Sequence, residues 1–142
     1  MKLEQLVVLT IGAVMTRKVL TVTQDETVLA TVKKMHAQRV GSVLVLDKEQ
    51  HVAGIFTERD VMNEVVALEK DPSKTLISEV MTKDPQTLSS EMPILTAFEL
   101  LHGSSFRHVP VVDDSKLVGV LSVRDLHKLV YQFLGSAVFG QD

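Results

Sequence analysis

The sequence predicts a mixed α/β (α+β) fold built from two β-α-β-β-α repeats that pack as a pseudo-two-fold pair. Three observations predict it: the chain repeats itself, apolar residues at helical spacing precede short β-branched runs, and one motif is written twice. That motif is GIFTERD at residues 54–60 and GVLSVRD at residues 119–125. Both copies share a glycine, a hydroxyl residue, an arginine and an aspartate.

The repeat becomes visible when the chain is shifted against itself, which is the first comparison to make on any sequence. At an offset of 66, Ile11 meets Ile77 and the VMT of residues 14–16 meets the VMT of residues 80–82. One deletion near Lys48 changes the offset to 65, after which Gly54 meets Gly119 and the motifs align. We assign repeat 1 to residues 11–68 and repeat 2 to residues 75–133. Together they form one module, because about 55 residues alone bury too little surface.

The elements of each repeat follow in order. After extended pieces at residues 20–22 and 86–88, apolar residues mark one face of a helix in each copy: Val28, Leu29, Val32 and Met35, then Ile94, Leu95, Phe98 and Leu101. Pro93 suits the first turn of the second helix. Two strands follow, SVLVLD and HVAGIF in repeat 1, HVPVVD and LVGVL in repeat 2, with a tight hairpin turn at residues 113–116. A second amphipathic helix closes each copy, with Val61, Val65 and Leu68 matched by Leu126, Val130 and Phe133.

Composition narrows the functional class. The chain has 142 residues, 45% hydrophobic and 23% charged, as in an ordinary globular protein. A net charge of −3 and the lack of aromatic residues interleaved with basic ones argue against nucleic acid as a partner. The absence of cysteine excludes disulfides and thiolate metal sites. The mildly apolar N-terminus carries Glu4 and Gln5 and is too short to span a bilayer, so we expect a cytoplasmic protein without a membrane partner.

Catalytic and metal-binding motifs are missing from the sequence. No spacing of His, Asp and Glu matches a known metal-ligand set, and no nucleophile elbow, phosphate loop or dinucleotide fingerprint occurs. We therefore expect no enzyme, no metal and no catalytic cofactor.

The repeated Thr57-x-x-Asp60 and Ser122-x-x-Asp125 have two interpretations. As helix caps, the hydroxyl residue is the N-cap and the acid three residues later reaches back. As binding groups, each Asp accepts hydrogen bonds from a pair of vicinal hydroxyls. Arg59 and Arg124 add weight to binding, because a cation in the first turn opposes the helix dipole and suggests a nearby anion. An arginine that extends to solvent or pairs with a neighbouring acid is the alternative.

The element order, the VMT opening, the G-h-h-[ST]-x-x-D ending and the duplication resemble the cystathionine-β-synthase (CBS) domain pair over about four-fifths of the chain. The resemblance implies a regulatory module that binds adenosine-type ligands in the cleft between the repeats: AMP, ADP or ATP, with NAD and S-adenosylmethionine as further candidates. It also implies a homodimer and a regulated protein, which the sequence does not identify. A structural dimerisation module with vestigial clefts is the alternative.

The resemblance implies two clefts. In site A, Ser122 and Asp125 hold the ribose, Arg107 and His108 the phosphate, and residues of the first repeat the base. The implied residues of site A are Thr16, Val19, Thr21, Val40, Gly41, Arg107, His108, Ser122, Arg124 and Asp125. A solvated strand entrance is the alternative for the Arg107-His108 pair.

In site B, Thr57 and Asp60 take the ribose. The implied residues of site B are Thr57, Arg59, Asp60, Thr82, Pro85, Thr87 and Phe106. Gly41-Ser42 replaces Arg107-His108, so the phosphate side has lost its charges. Site B then holds a nucleoside-like ligand, binds weakly or stays empty.

Overall fold

The structure, a computed structural model, describes residues 1–140 and confirms the α/β fold class. The helices are α1 (Leu3–Val7), α2 (Ile11–Val14), α3 (Val28–Gln38), α4 (Glu58–Asp60), a π-helix (Val61–Val66), α5 (Ile77–Val80), α6 (Ile94–His102) and α7 (Val123–Phe139). The strands are β1 (Thr21–Thr23), β2 (Ser42–Leu46), β3 (Val52–Thr57), β4 (Thr82–Lys83), β5 (His108–Asp113) and β6 (Lys116–Ser122). No helix among residues 1–140 has the length and apolar character needed to cross a membrane.

The chain divides into two compact units. Unit 1 combines Met1–Arg17 with the chain from Gln86 onward, and unit 2 is Lys18–Pro85. The units are therefore not the two sequence repeats. The opening segment of repeat 1, with α2 and Thr16, lies in unit 1, and the opening segment of repeat 2, with α5 and β4, lies in unit 2.

Unit 2 contains a four-stranded sheet in the order β1-β2-β3-β4. Strand β1 runs parallel to β2, as expected for strands joined by the crossover helix α3. Strands β2 and β3 form an antiparallel pair in which Ser42 lies opposite Thr57, and β4 adds to the far edge, with Thr82 opposite Ile55. The core of this unit consists of Val22, Val28, Met35, Val43, Val45, Phe56, Val65, Ile77 and Val80.

In unit 1 the β5-β6 hairpin takes the place that the β2-β3 pair has in unit 2. Its turn residues Asp114 and Ser115 have φ values of 49° and 66°, the left-handed conformation of a two-residue hairpin turn, which confirms the predicted hairpin. Single bridges join Leu88 to Val111 and Thr16 to Val120, at the places that β1 and β4 occupy in unit 2. The core consists of Ile11, Met15, Leu88, Ile94, Ala97, Leu101, Val109, Val111, Leu121, Leu126 and Leu129.

The last helix of each repeat differs from the predicted amphipathic pattern. In α7 the buried residues are Leu126 and Leu129, whereas Val130 is 38% exposed. In repeat 1 a π-helix follows α4, Val65 is buried and Leu68 is exposed. A smaller difference concerns Pro93, which is the N-cap of α6 and not a residue of its first turn.

Candidate functional site

Each repeated motif lies where a strand passes directly into a helix. Strand β6 ends at Ser122 and α7 begins at Val123, while β3 ends at Thr57 and α4 begins at Glu58. The residue at the junction has extended backbone geometry, with φ −120° at Ser122 and φ −126° at Thr57, as an N-cap requires. The junctions place one half-buried aspartate, Asp125 or Asp60, in the first turn of each helix.

The Asp125 cluster consists of Thr16, Ser122 and Asp125, all in unit 1. Asp125 Oδ2 accepts hydrogen bonds from the backbone N–H of Ser122 at 2.9 Å and from its hydroxyl at 3.1 Å. The other oxygen, Oδ1, accepts from the Thr16 hydroxyl at 3.0 Å. The backbone of Thr16 is held in turn by two hydrogen bonds with Val120, each 2.9 Å. Both carboxylate oxygens are thus oriented by neighbours that the fold fixes.

The Asp60 cluster consists of Thr57, Asp60 and Thr82, all in unit 2. Asp60 Oδ2 accepts from the Thr57 N–H at 2.8 Å and from the Thr57 hydroxyl at 3.2 Å. Within residues 1–140, Thr82 makes no hydrogen bond to Asp60 that would match the bond from Thr16 to Asp125. The cap interpretation is therefore confirmed in both repeats, and in both the cap uses only Oδ2.

The pKa of the Asp60 carboxyl is raised above its ordinary value of 3.8. Burial is the largest cause, because removing a carboxylate from water disfavours its charged form. The two hydrogen bonds from Thr57 oppose this shift, the negative charge of Glu64 adds to it, and Arg59 lowers it. The surroundings of Asp60 thus disfavour the charged form of its carboxyl.

A glycine near the end of each strand lets the VMT segment pack closely against it. A Cβ at Gly119 would lie 2.7 Å from Met15 Sδ and 2.9 Å from the Thr16 carbonyl oxygen. A Cβ at Gly54 would lie 2.3 Å from Met81 Sδ and 2.9 Å from the Thr82 carbonyl oxygen. Only glycine avoids these overlaps. The glycine of the motif thereby brings the VMT threonine against the strand that leads into the helix with the aspartate.

The residues before β5 and β2 lie directly beside the capped helices. The Arg107 carbonyl accepts from the Val123 N–H at 3.0 Å, and His108 lies opposite Ser122 in the β5-β6 pair. In unit 2 the Gly41 carbonyl accepts from the Glu58 N–H at 3.0 Å. The structure therefore places Arg107 and His108 next to the Asp125 cluster, and their role in binding phosphate stays a prediction.

The residues of each predicted site are divided between the two units. Of site A, unit 1 carries Thr16, Arg107, His108, Ser122, Arg124 and Asp125, and unit 2 carries Val19, Thr21, Val40 and Gly41. Of site B, unit 2 carries Thr57, Arg59, Asp60, Thr82 and Pro85, and unit 1 carries Thr87 and Phe106. In unit 1 the residues predicted to bind ribose and phosphate lie together, and their grouping with the residues predicted to bind the base stays a prediction.

Three side chains with metal-binding chemistry lie close together in a turn of unit 2. The ligand atoms of Asp47, Glu49 and His51 lie within 4.8 Å of one another. Asp47 Oδ1 accepts the N–H groups of Glu49 and His51, each at 2.9 Å, and Glu49 and His51 are exposed. The hydrogen bonds of the turn by themselves explain why these residues meet.

Sequence reasoning missed two carboxylates beside Asp60. Glu58 is the first residue of α4, and Glu64 lies in the π-helix and raises the Asp60 pKa. The corresponding residues of repeat 2 are Val123 and Leu129. A comparison of the aligned repeats for positions where one copy is charged and the other apolar could have found both.

Comparison with known proteins identifies the family and several relatives of this chain. Residues 11–67 and 77–131 each match the CBS domain family. The CBS domain-containing protein CBSCBSPB2 of Arabidopsis thaliana is 33% identical over 114 residues, which are 80% of this chain and 21% of that protein. The chain spans between about a fifth and 60% of the length of three curated relatives that it matches.

Solved structures show the same fold. The CBS-domain-containing protein ATU1752 of Agrobacterium tumefaciens is 33% identical, with a TM-score of 0.73 over 79% of this chain and 84% of that one. The hexameric CBS-CP12 protein of bloom-forming cyanobacteria is 30% identical, with a TM-score of 0.80 over 85% of this chain and 71% of that one.

Proposed function

This chain belongs to the CBS domain family, whose paired domains are generally regulatory, and from that premise we propose that it is a ligand-sensing module for adenosine-type nucleotides. The observation that carries the proposal is the repeated, half-buried aspartate whose Oδ2 is occupied by a helix cap. A carboxylate held in this way has a second oxygen, Oδ1, that the cap does not use. Vicinal ribose hydroxyls are donors that match such an acceptor.

In the Asp125 cluster, Oδ1 accepts from the Thr16 hydroxyl. A hydroxyl both donates and accepts, so Thr16 is able to stay bonded to Asp125 while it accepts from a ribose hydroxyl, or to give up its place to one. In either arrangement the half-buried carboxylate keeps a hydroxyl donor on Oδ1, from Thr16 or from the ribose. We propose that Thr16, Ser122 and Asp125 bind the ribose.

Arg107 gives the Asp125 cluster a preference for phosphate. Its side chain is exposed, and its carbonyl is hydrogen bonded to the first residue of α7, Val123, which is two residues from Asp125 along the chain. A planar guanidinium forms paired hydrogen bonds with phosphate oxygens. We propose AMP, ADP or ATP as ligands here, with NAD and S-adenosylmethionine as further candidates that the experiment compares.

A thermal-shift screen against these five ligands and adenosine tests the proposal. A ligand at about 100 times its dissociation constant adds ~2.7 kcal/mol to the native state, which raises the melting temperature by roughly 5–10 °C. The control is the same screen on Asp60→Ala/Asp125→Ala, in which both ribose carboxylates are removed. A shift below about one degree for every ligand at millimolar concentration refutes the sensing function.

A structural self-association module is the second candidate function. It is favoured by apolar side chains exposed on α7, where Tyr131 is 77% and Phe139 is 73% exposed. Exposed apolar surface on this scale is typical of interfaces. The cyanobacterial relative is described as hexameric, which supports association of this chain with itself. We propose a homodimer as the assembled form, and the protein that it regulates stays to be identified.

A further inference from the structure

The residues that flank the two aspartate clusters occupy equivalent positions in the two units. In unit 1 the Val123 N–H donates to the Arg107 carbonyl at 3.0 Å, and in unit 2 the Glu58 N–H donates to the Gly41 carbonyl at the same distance. The neighbouring strand pairs agree, since His108 lies opposite Ser122 and Ser42 lies opposite Thr57. Gly41 and Glu58 therefore stand where Arg107 and Val123 stand in the other unit.

The charge at this position is reversed between the units. In unit 1 the pair supplies the exposed guanidinium of Arg107 and an apolar valine. In unit 2 Gly41 has no side chain, and Glu58 Oε1 lies 3.3 Å from the point where a Gly41 Cβ would be. The Glu58 carboxylate thus lies against the position from which a basic side chain would have to extend.

The arginine of the repeated motif does not cancel this difference. Arg59 in unit 2 and Arg124 in unit 1 hold the same place in the motif, so the cation that they supply is common to both clusters. Glu64 adds a further negative charge on the Asp60 side only, where repeat 2 has Leu129. The two repeats differ at residues 41, 58 and 64 and their counterparts. Because of these differences, the surroundings of Asp60 carry more negative charge than those of Asp125.

We infer that the Asp60 cluster selects an adenosine derivative whose 5′ substituent is uncharged or positively charged, and that Glu58 is the residue that rejects a phosphate. The inference rests on the proposed function, because it takes the ribose to be held by Asp60. Two like charges about 4 Å apart near a protein surface repel strongly enough to weaken binding by at least about tenfold. A cationic substituent gains from the same carboxylate.

Calorimetric titration of the full chain tests this selectivity, with Asp125→Ala as the background so that the Asp60 cluster is measured alone. The probes are adenosine, AMP and 5′-amino-5′-deoxyadenosine, which share the ribose and differ in the charge at the 5′ position. We expect the amine to bind at least about tenfold more tightly than AMP, with adenosine between them. AMP binding as tight as that of the amine overturns the inference.

Two variants in the same background assign the selectivity to Glu58. Glu58→Gln removes the charge and keeps the size, so the preference for the amine over AMP is expected to fall about five- to tenfold. Gly41→Arg/Glu58→Val installs the pair found in unit 1, and it is expected to reverse the preference while adenosine affinity changes less than about twofold. Glu69→Gln, which removes another exposed carboxylate from unit 2, controls for net charge. An equal effect of Glu58→Gln and Glu69→Gln overturns the role of Glu58.

The outcomes separate this inference from the function on which it rests. Adenosine binding that disappears in Asp60→Ala/Asp125→Ala, without any preference between AMP and the amine in Asp125→Ala, rejects the selectivity and supports ribose binding. Failure of all three probes to bind both the wild-type chain and the Asp125→Ala variant rejects ribose binding and the selectivity together.

Discussion

At the scale of single residues, two aspartates with the same local motif differ through their neighbours. Asp125 has a hydroxyl donor, Thr16, on its second oxygen. Asp60 has the carboxylate of Glu64 near it, and burial raises its pKa. The motif therefore determines the cap, and residues outside the motif determine what else each carboxylate binds.

The raised pKa of Asp60 predicts a pH dependence of stability. Because the folded state holds the proton more tightly than the unfolded state, the stability from this group is present below about pH 3.8 and is lost as pH rises through the raised pKa. Asp60→Asn cannot titrate, so its free energy of unfolding should rise relative to wild type over that interval. Denaturant unfolding at a series of pH values measures this difference.

Asp71 provides the control, because its pKa is shifted in the opposite direction to that of Asp60. Its pKa is lowered, mainly by the hydrogen bond from the Ser73 hydroxyl, so its stability contribution is lost as pH falls. Asp71→Asn should therefore lose stability relative to wild type as pH rises. The same trend in both variants would contradict the assignment for Asp60.

The Asp125 cluster predicts two different binding defects. Asp125→Ala removes the acceptor for the ribose and should weaken AMP and adenosine alike by about 1.5–3 kcal/mol. Arg107→Ala should weaken AMP by a similar amount and leave adenosine nearly unchanged, because adenosine has no phosphate. Calorimetric titration measures both, and Lys128→Ala, which removes an exposed cation on α7, is the control. If Asp125 is only a cap, its substitution will lower stability without changing either affinity.

At the scale of elements, the packing of the VMT segment on a strand sets the position of the threonine. Met81 and the Thr82 carbonyl lie so close to Gly54 that no Cβ fits between them. Met15 and Thr16 lie in the same way against Gly119. In each unit, therefore, the strand glycine of one repeat packs against the VMT methionine of the other repeat.

Gly54→Ala should destabilise the chain by about 1–3 kcal/mol, since the added carbon requires Met81 and the Thr82 backbone to move. Gly135→Ala is the matched control: a Cβ there meets nothing within 4 Å inside α7, so the change should stabilise by about 0.5–1 kcal/mol. Denaturant midpoints measure both. Similar stability of Gly54→Ala and wild type would show that the close approach is not required.

We attribute the π-helix of repeat 1 to one polar residue, Glu64. Aligned with α7, Glu64 takes the place of the buried Leu129, and Val65 takes the place of Val130. The wider turn, shown by the bond from Ala67 N–H to the Met62 carbonyl at 2.9 Å, buries Val65 and leaves Glu64 exposed. An ordinary α-helix would bring Glu64 to the core.

Glu64→Leu should therefore convert the segment to an α-helix, because leucine at this position fills the place of Leu129. The Ala67 N–H would then donate to the Asn63 carbonyl, four residues back, and a crystal structure of the variant would show this change. Asn63→Leu, at an exposed position of the same segment, should keep the π-helix. A π-helix that persists in Glu64→Leu would refute this explanation.

At the scale of the whole molecule, both repeats expose an apolar residue at the same helical position. Val66 is 66% exposed and the aligned Tyr131 is 77% exposed. These side chains make no use of the hydrophobic effect within a single chain, whereas an interface would bury them. The proposed self-association would explain why both copies are apolar at this position.

Sedimentation velocity at tens of micromolar should show a dimer of the wild-type chain. Tyr131→Asp/Phe139→Asp should shift the protein to the monomer, because each change places a charge in the proposed interface. The control is Lys128→Asp, which introduces the same charge at an exposed polar position of α7. A monomer at every concentration, with and without nucleotide, would contradict the dimer.

Much of the architecture could be predicted from the sequence. The duplication, the α3 and α6 helices, both hairpins and the Asp113–Lys116 turn are local properties of hydrophobic spacing and turn chemistry, and the structure confirms them. The helix caps were equally accessible, since a hydroxyl residue followed three positions later by an aspartate interacts with nearby backbone alone. These features depend on residues a few positions apart.

Apart from the family resemblance, which implied that Thr16 lies in one site with Asp125, only the tertiary structure decided which opening segment joins which unit. Repeats 1 and 2 open with the same Val-Met-Thr, so hydrophobic pattern and propensity are the same for either assignment. The contacts Met15 with Gly119 and Thr16 with Asp125 couple residues more than 100 positions apart. Likewise, the burial of Val65 and the exposure of Glu64 depend on how the side chains of this segment pack against the core of unit 2. The sequence determined the parts by itself because they arise from local interactions, whereas their pairing arises from long-range packing, in which two nearly identical segments compete.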